Sequence, residues 1–319
     1  MFFWVKKMNK IKVIEVQNLT KYYPEVLAVN RVGFTVNKGD VVGFLGPNGA
    51  GKTTTLKMLT CFLPPTSGEA KVCGFDISQD PTSVRQNIGY LPEHNALYEE
   101  MRVKEYLTFR ATLKGVKWRL RKPWVEEAIE TCRLEDVANR VIAHLSKGYR
   151  QRVGLADTLV HKPPVLIFDE PTVGLDPAQI IEVRALIKKL SQENTVLLST
   201  HYLTEVEQIC DHAVIITGGR VVAADSIANL TTGQDGEKVP LEEVFLKLTR
   251  NNREDEVELK GEGDNKRRDG KEKKGAEEGE EEGNGKEKNG KGDKTDEGDE
   301  ESTDETDGSH GLKEKEEKP

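Results

Sequence analysis

Little in this sequence suits an oxidising or a lipid environment. Four cysteines are spread over 319 residues, Cys61, Cys73, Cys132 and Cys210, and no two form a C-x-x-C pair. That argues against a disulfide framework and a thiolate metal site, and free thiols in a reducing cytosol are expected. No apolar run approaches the roughly 18 residues of a membrane span. The start, Met1-Phe2-Phe3-Trp4-Val5-Lys6-Lys7, is apolar over too few residues for a signal-peptide core, and its charges follow the apolar run instead of preceding it. The chain is expected to be soluble by itself, so a membrane role needs a partner. A basic surface is missing too. The formal net charge is −8, but residues 250–319 hold 16 Lys and Arg against 26 Asp and Glu, leaving 31 basic and 29 acidic groups for the rest. The remainder is near neutral, and no nucleic-acid partner is expected.

The acidity marks a boundary. From about Asn251 the chain is dominated by Glu, Lys, Gly and Asp, with runs such as Glu277-Glu278-Gly279-Glu280-Glu281-Glu282. Residues 251–319 are expected to form a disordered acidic tail, because they cannot bury enough apolar surface to offset chain entropy. Residues 11–250 read as the folded part. Ile11–Val16 and Ala28–Val36 alternate as strands do, and Asn37-Lys38-Gly39-Asp40 reads as a turn. From about Thr82 to His161 the pattern becomes helical, with helices predicted over Glu105–Leu113 and from Trp124 to Cys132, the second starting at Pro123. Trp118 and Trp124 read equally well as a partner groove or as packing. Beyond Pro163-Pro164, Val165–Phe168, Thr195–Thr200 and Ala213–Ile216 are the most apolar strands, and Gly218-Gly219 closes a hairpin onto Arg220-Val221-Val222. Near-continuous apolar strands alternating with helices predict a parallel sheet covered on both faces.

The chemistry begins at Gly46-Pro47-Asn48-Gly49-Ala50-Gly51-Lys52-Thr53-Thr54, which fills every fixed position of G-x-x-x-x-G-K-[ST]. The apolar run Val41–Leu45 precedes it and a helix-forming run follows. Glycines let successive backbone N–H groups curl around phosphate oxygens, and the helix adds its positive dipole end. Lys52 can reach the β- and γ-phosphates of a nucleoside triphosphate, and the Thr53 hydroxyl can ligate magnesium. Asp169-Glu170 ends a buried strand downstream. Asp169 is expected to hold magnesium, and Glu170 to activate the attacking water as general base.

Further stretches follow in order: Ile88-Gly89-Tyr90-Leu91-Pro92-Glu93, Leu145-Ser146-Lys147-Gly148-Tyr149-Arg150-Gln151-Arg152, Val173-Gly174-Leu175-Asp176, and His201 after Ser199-Thr200. With the P-loop and Asp169-Glu170, they resemble the Q-loop, signature, D-loop and switch histidine of ABC transporter ATP-binding subunits. The likeness covers about residues 11–250 and is greatest to exporter ATPases of the sodium-efflux, drug-resistance and gliding-motility group. It implies an α/β P-loop NTPase of ABC type: a mainly parallel sheet, an antiparallel β-subdomain and an inserted helical subdomain at about 82–161. The resemblance also implies ATP and magnesium as ligands, with Thr53, Glu93 and Asp169 on the metal side. Two copies would pair head to tail, Ser146 and Gly148 of one capping the γ-phosphate held by the other. Asp176 would link the two sites, and His201 would hold the γ-phosphate. Tyr23 matches the adenine-stacking aromatic residue, with neighbouring Tyr22, or plain packing, as alternatives. Glu93 stands where the family has glutamine, Lys147 for a glycine, Tyr149 for a glutamine and Val173 for a serine. His94, His144, His161 and His212 receive no role.

The function implied is ATP hydrolysis that powers a transporter, with export favoured, through an integral membrane permease on the cytoplasmic side of the cell membrane. The alternative is a non-transport ABC ATPase of DNA repair, translation or cluster assembly. The long coiled coil or second domain of such proteins is not seen.

Overall fold

The computed structural model describes residues 11–233 and 235–250. The stretch 251–319, expected to be disordered, lies outside the described residues. The chain opens with two antiparallel strands, β1 (Lys12–Tyr23) and β2 (Val26–Asn37). β3 (Val41–Leu45) then leads through the glycine-rich loop into α1 (Lys52–Leu59). β4 (Ser67–Val72) and β5 (Phe75–Asp76) complete an antiparallel sheet in the order β2-β1-β4-β5. Next come α2 (Pro81–Asn87), β6 (Ile88–Leu91), and the helices α3 (Val103–Leu113), α4 (Trp118–Thr131) and α5 (Lys147–Leu159). The remainder alternates: β7 (Val165–Asp169), α6 (Pro177–Leu190), β8 (Thr195–Thr200), α7 (Leu203–Ile209), β9 (His212–Thr217), β10 (Arg220–Ser226) and the short α8 (Ile227–Leu230).

The second sheet has the order β10-β9-β3-β8-β7-β6. All its pairings are parallel except the β9–β10 hairpin at one edge. Every residue of β3, β7 and β8 is buried, as continuous apolar runs require when both faces are covered. The two-residue strand period distributes them. Val41, Leu166, Phe168, Val196 and Leu198 enter a core shared with α3, α4, α5 and α6. Val42, Phe44, Val165, Ile167 and Leu197 enter a core shared with α1 and the antiparallel sheet. Helix starts follow local chemistry: Ser146 caps α5 by accepting from Tyr149 N, and Asp176 caps α6 by accepting from Gln179 N, with Pro177 at its first position.

Two expectations are corrected. The stretch taken as helical from Thr82 contains β6, which pairs with β7 at the edge of the sheet. Four apolar residues cannot be assigned to helix or strand by periodicity, and β-pairing decides the outcome. Gly89 helps, because any Cβ there would collide with the Thr158 carbonyl at the end of α5. The second correction is that Pro123 does not start α4; it lies inside, with Trp118 in the first turn. The carbonyl it leaves unpaired is that of exposed Arg119, which water can satisfy. Trp124 packs on the core, whereas Trp118 is 72% exposed.

Candidate active site

The P-loop is clamped between the two sheets. Gly49 and Gly51 have φ of 78° and 100°, a left-handed region that side chains oppose, and Gly51 immediately precedes α1. A Cβ on Gly51 would also strike the Ala28 carbonyl of β2. The hairpin turn locks the loop from above: Gly219 N donates to the Ala50 carbonyl at 3.1 Å, and Asn30 N to the Gly219 carbonyl at 2.8 Å. Gly46 and Ala50 are buried, while Asn48 and Gly49 are exposed. Pro47 and Thr54 are half-buried.

Three side chains, following β3, β7 and β8, meet below this loop. Lys52, only 6% exposed, donates to the Gly46 carbonyl at 2.8 Å and the Pro47 carbonyl at 3.3 Å. Its Nζ also lies 3.3 Å from Glu170 Oε1. The second Glu170 oxygen is 2.8 Å from His201 Nδ1. Lysine, carboxylate and imidazole thus form one chain across β3, β7 and β8. Glu170 holds φ at 49°, a costly conformation for a non-glycine residue, stabilised here by Ser199: Glu170 N donates to the Ser199 carbonyl and hydroxyl, both at 3.1 Å.

Asp169 lies beside this chain and is fully buried. Its Oδ1 accepts from Ser199 Oγ at 2.5 Å and from Thr53 Oγ1 at 3.2 Å. Its Oδ2 is buried and has no hydrogen-bond partner among the described residues. Burial pushes the Asp169 pKa up; the two hydroxyls oppose the rise, and the Glu93 and Glu170 charges add to it. A buried, half-satisfied carboxylate next to a threonine hydroxyl is the donor set a hard divalent cation takes. Glu93 itself is exposed in the loop after β6. Its charge is felt at Asp169 and at Tyr90, whose buried hydroxyl also has no partner among the described residues.

The remaining predicted residues gather elsewhere. Ser146 and Gly148 sit at the start of α5, and among the described residues no hydrogen bond joins them to the P-loop. Their neighbours belong to the segment after Glu170. Gly148 lies so close to Gln179 that an added Cβ would come within 2.5 Å of it. The Lys147 ammonium covers Gly174, and Gln151 donates to the Pro171 carbonyl at 2.6 Å. Asp176 caps α6 in the same region. Tyr22 and Tyr23 both lie at the exposed tip of the β1–β2 hairpin, with Lys21 Nζ 5.5 Å from the Tyr23 ring centroid.

Sequence reasoning missed two residues of this centre. Ser199 binds Asp169 and Glu170 together, and Glu205 of α7 accepts from Thr172 and Thr200 while buried. The signal for Ser199 was a polar pair ending an otherwise apolar strand. Nothing local marked Glu205.

A family model described as ABC transporter matches residues 29–173. YxlF of Bacillus subtilis (strain 168), called an uncharacterized ABC transporter ATP-binding protein, is 42% identical over 209 residues, covering 66% of this chain and 69% of that protein. The chain belongs to the ABC transporter family. As such it is a transporter ATP-binding subunit and an ATPase with a P-loop fold. The bacitracin transport ATP-binding protein BcrA of Bacillus licheniformis is 37% identical over 212 residues, 66% of this chain and 68% of BcrA. Among solved structures, a dimeric ABC cassette in a post-hydrolysis state with ADP and Pi is similar, with TM-score 0.62 and 25% identity. That match covers 67% of this chain and 98% of the cassette. Nothing in these matches favours a non-transport ABC ATPase. No helix among the described residues is long and apolar enough to cross a membrane.

Proposed function

We propose that this ABC subunit hydrolyses magnesium-ATP to power an exporter, from the cytoplasmic side of the cell membrane, and that it works as a head-to-tail pair docked on a separate permease. The observation that carries the reading is the chain Lys52–Glu170–His201 beside Thr53–Asp169. Lys52 and the P-loop N–H groups bind the phosphates. Glu170, aimed by its left-handed backbone and held by His201, is the base for the attacking water. His201 keeps Glu170 oriented and answers to the γ-phosphate. Thr53, Asp169 and Glu93 are the residues that would hold magnesium. Bound magnesium would neutralise phosphate charge and polarise the γ-phosphoryl group. Among the described residues no cluster of three acidic, histidine or cysteine side chains could hold a metal alone, consistent with ligands shared between protein, phosphate and water.

The pairing is supported by the dimeric state of the similar cassette and fits the lack, among the described residues, of any hydrogen bond from Ser146 or Gly148 to the P-loop. In the pair, these two residues close the partner's site, Asp176 links the sites, and Tyr23 stacks on adenine. Export rests on the resemblance to exporter ATPases described above; the similar proteins BcrA and YbhF are named for bacitracin transport and for a probable multidrug ABC transporter. The docking face for the permease is the outer surface of α3, α4 and the loop before α3, where Tyr98, Phe109, Leu113, Trp118 and Leu120 stay exposed. The Tyr98 and Phe109 rings meet edge to face at 5.6 Å, a ready apolar platform.

The test is Glu170→Gln, which keeps volume and removes the base. Hydrolysis should fall about 10²- to 10⁴-fold while ATP affinity persists, and the variant should accumulate as an ATP-bound dimer on size-exclusion chromatography. An unchanged hydrolysis rate removes Glu170 from its role.

A further inference from the structure

The catalytic reading leaves one fully buried carboxylate unused. Glu205, on α7, is 1% exposed. Its Oε1 accepts from Thr172 Oγ1 at 2.5 Å and from Arg184 Nη2 at 3.4 Å. Its Oε2 accepts from Thr200 Oγ1 at 2.7 Å, and that hydroxyl in turn accepts from Tyr202 N at 3.0 Å. The three donors come from three places. Thr172 lies two residues after Glu170, and its carbonyl closes the following turn by accepting from Leu175 N at 3.2 Å. Thr200 immediately precedes His201. Arg184 belongs to α6, the helix that Asp176 caps, and also reaches Gln208 at 3.2 Å.

A buried charge is a poor source of stability, because the desolvation cost consumes most of the attraction, and an apolar residue of similar size serves as well. Among the described residues this one faces a single cation and two neutral hydroxyls, so stability gives little reason for a carboxylate here. Geometry gives one: two oxygens on one rigid plane can fix two backbone segments at a set separation. The segments fixed are those that carry Glu170 and His201, whose side chains meet at 2.8 Å.

We propose that Glu205 is a positioning residue for ATP hydrolysis, clamping the chain after Glu170 to the chain before His201 so that their contact keeps its geometry. It touches no reacting atom. It acts on the two residues that do, and through Arg184 it carries their alignment into α6. The proposal rests on the roles given above to Glu170 and His201.

The experiment compares Glu205→Gln, Thr172→Val and Thr172→Ser with Glu170→Gln, all in the full chain. Glu205→Gln keeps the volume but loses one of its two acceptors. It should lower kcat for ATP hydrolysis at least tenfold, with the KM for ATP and the affinity for a fluorescent ATP analogue changed less than twofold. Thr172→Val should lower kcat in the same selective way, and Thr172→Ser, which restores the hydroxyl, should recover most of it. If Glu205→Gln does not fold, the Thr172 pair decides by itself. A wild-type kcat in Glu205→Gln, a KM that rises in step with the loss of kcat, or equal kcat in the two Thr172 variants overturns the proposal. If Glu170→Gln is inactive while Glu205→Gln has wild-type kcat, only the clamp fails. If Glu170→Gln is itself fully active, the assignment of the site fails first.

Discussion

His161, just beyond α5, tests how the helical layer is tied to the central sheet. Its Nε2 meets the Ile88 carbonyl of β6 at 2.9 Å, and its buried Nδ1 has no hydrogen-bond partner among the described residues. Burial, and then the Lys114 ammonium, push its pKa from 6.5 down to about 4; Arg110 adds to the depression, and the Ile88 carbonyl and Asp157 resist it. Below pH 6.5 the unfolded chain therefore takes up a proton that the folded chain refuses. Stability contributed by this group is intact above that pH and lost as pH falls through the window toward 4. With those two values, the loss between pH 7.5 and pH 5.0 is about 2 kcal/mol. His161→Gln retains an amide that can donate to the Ile88 carbonyl and removes the titration. Urea denaturation at the two pH values should show the wild type losing about 2 kcal/mol more than the variant. Carboxylates such as Asp157 titrate in both proteins and cancel in the difference. Equal losses in the two proteins would refute the argument that His161 is buried neutral at this joint.

Three other outcomes follow from the geometry. Because burial and the neighbouring charges hold the Asp169 pKa up, its stabilising contribution is lost as pH rises through the folded pKa, and Asp169→Asn should raise the melting temperature in magnesium-free buffer at neutral pH. The same variant should lose magnesium-dependent ATP hydrolysis; a lowered melting temperature would mean the charge is compensated. Gly89→Ala should cost about 1–3 kcal/mol in denaturant titrations, because its Cβ would come nearest the Thr158 carbonyl, a backbone atom that cannot swing away as the neighbouring Leu166 side chain can. Tyr23→Ala should weaken a fluorescent ATP analogue about fivefold, the loss of about 1 kcal/mol of stacking, while Tyr22→Ala should leave it within about twofold. The reverse result would transfer the adenine contact to Tyr22.

What could be read from the sequence depended on how locally each feature is determined. β8 was predicted residue for residue, and β7 to within one residue, because an unbroken apolar run bounded by polar residues has few alternatives. β6 was lost inside a helical stretch because four residues carry too little periodicity, and its state is imposed by pairing with β7. Pro123 misled for the opposite reason: the local rule was sound, but an exposed carbonyl at Arg119 made an interior proline tolerable. At the site, Lys52, Thr53, Asp169, Glu170 and His201 stand out as motifs, and the fold brings all five together. Glu205 was invisible, since its meaning lies in hydroxyls 33 and 5 residues away that only the folded chain gathers.

α5 is fastened along its whole length. Its far half is tied to α3, where Asp157 accepts from Arg110 at 2.9 Å and pairs with Lys114 at 3.2 Å; burial alone would raise the Asp157 pKa, and the two cations together bring it down. Its near half is tied to the segment after Glu170 by Gln151–Pro171 and Arg152–Glu182. A helix of 13 residues, about 20 Å long, pinned at both ends behaves as a beam and not as a lever. Load applied at α3 cannot swing Ser146 alone; it must displace Ser146, Gly148 and Asp176 together. The face offered to a second copy would then arrive or withdraw as one stiff plate, and softening either fastening would leave two half-sites that no longer close in step.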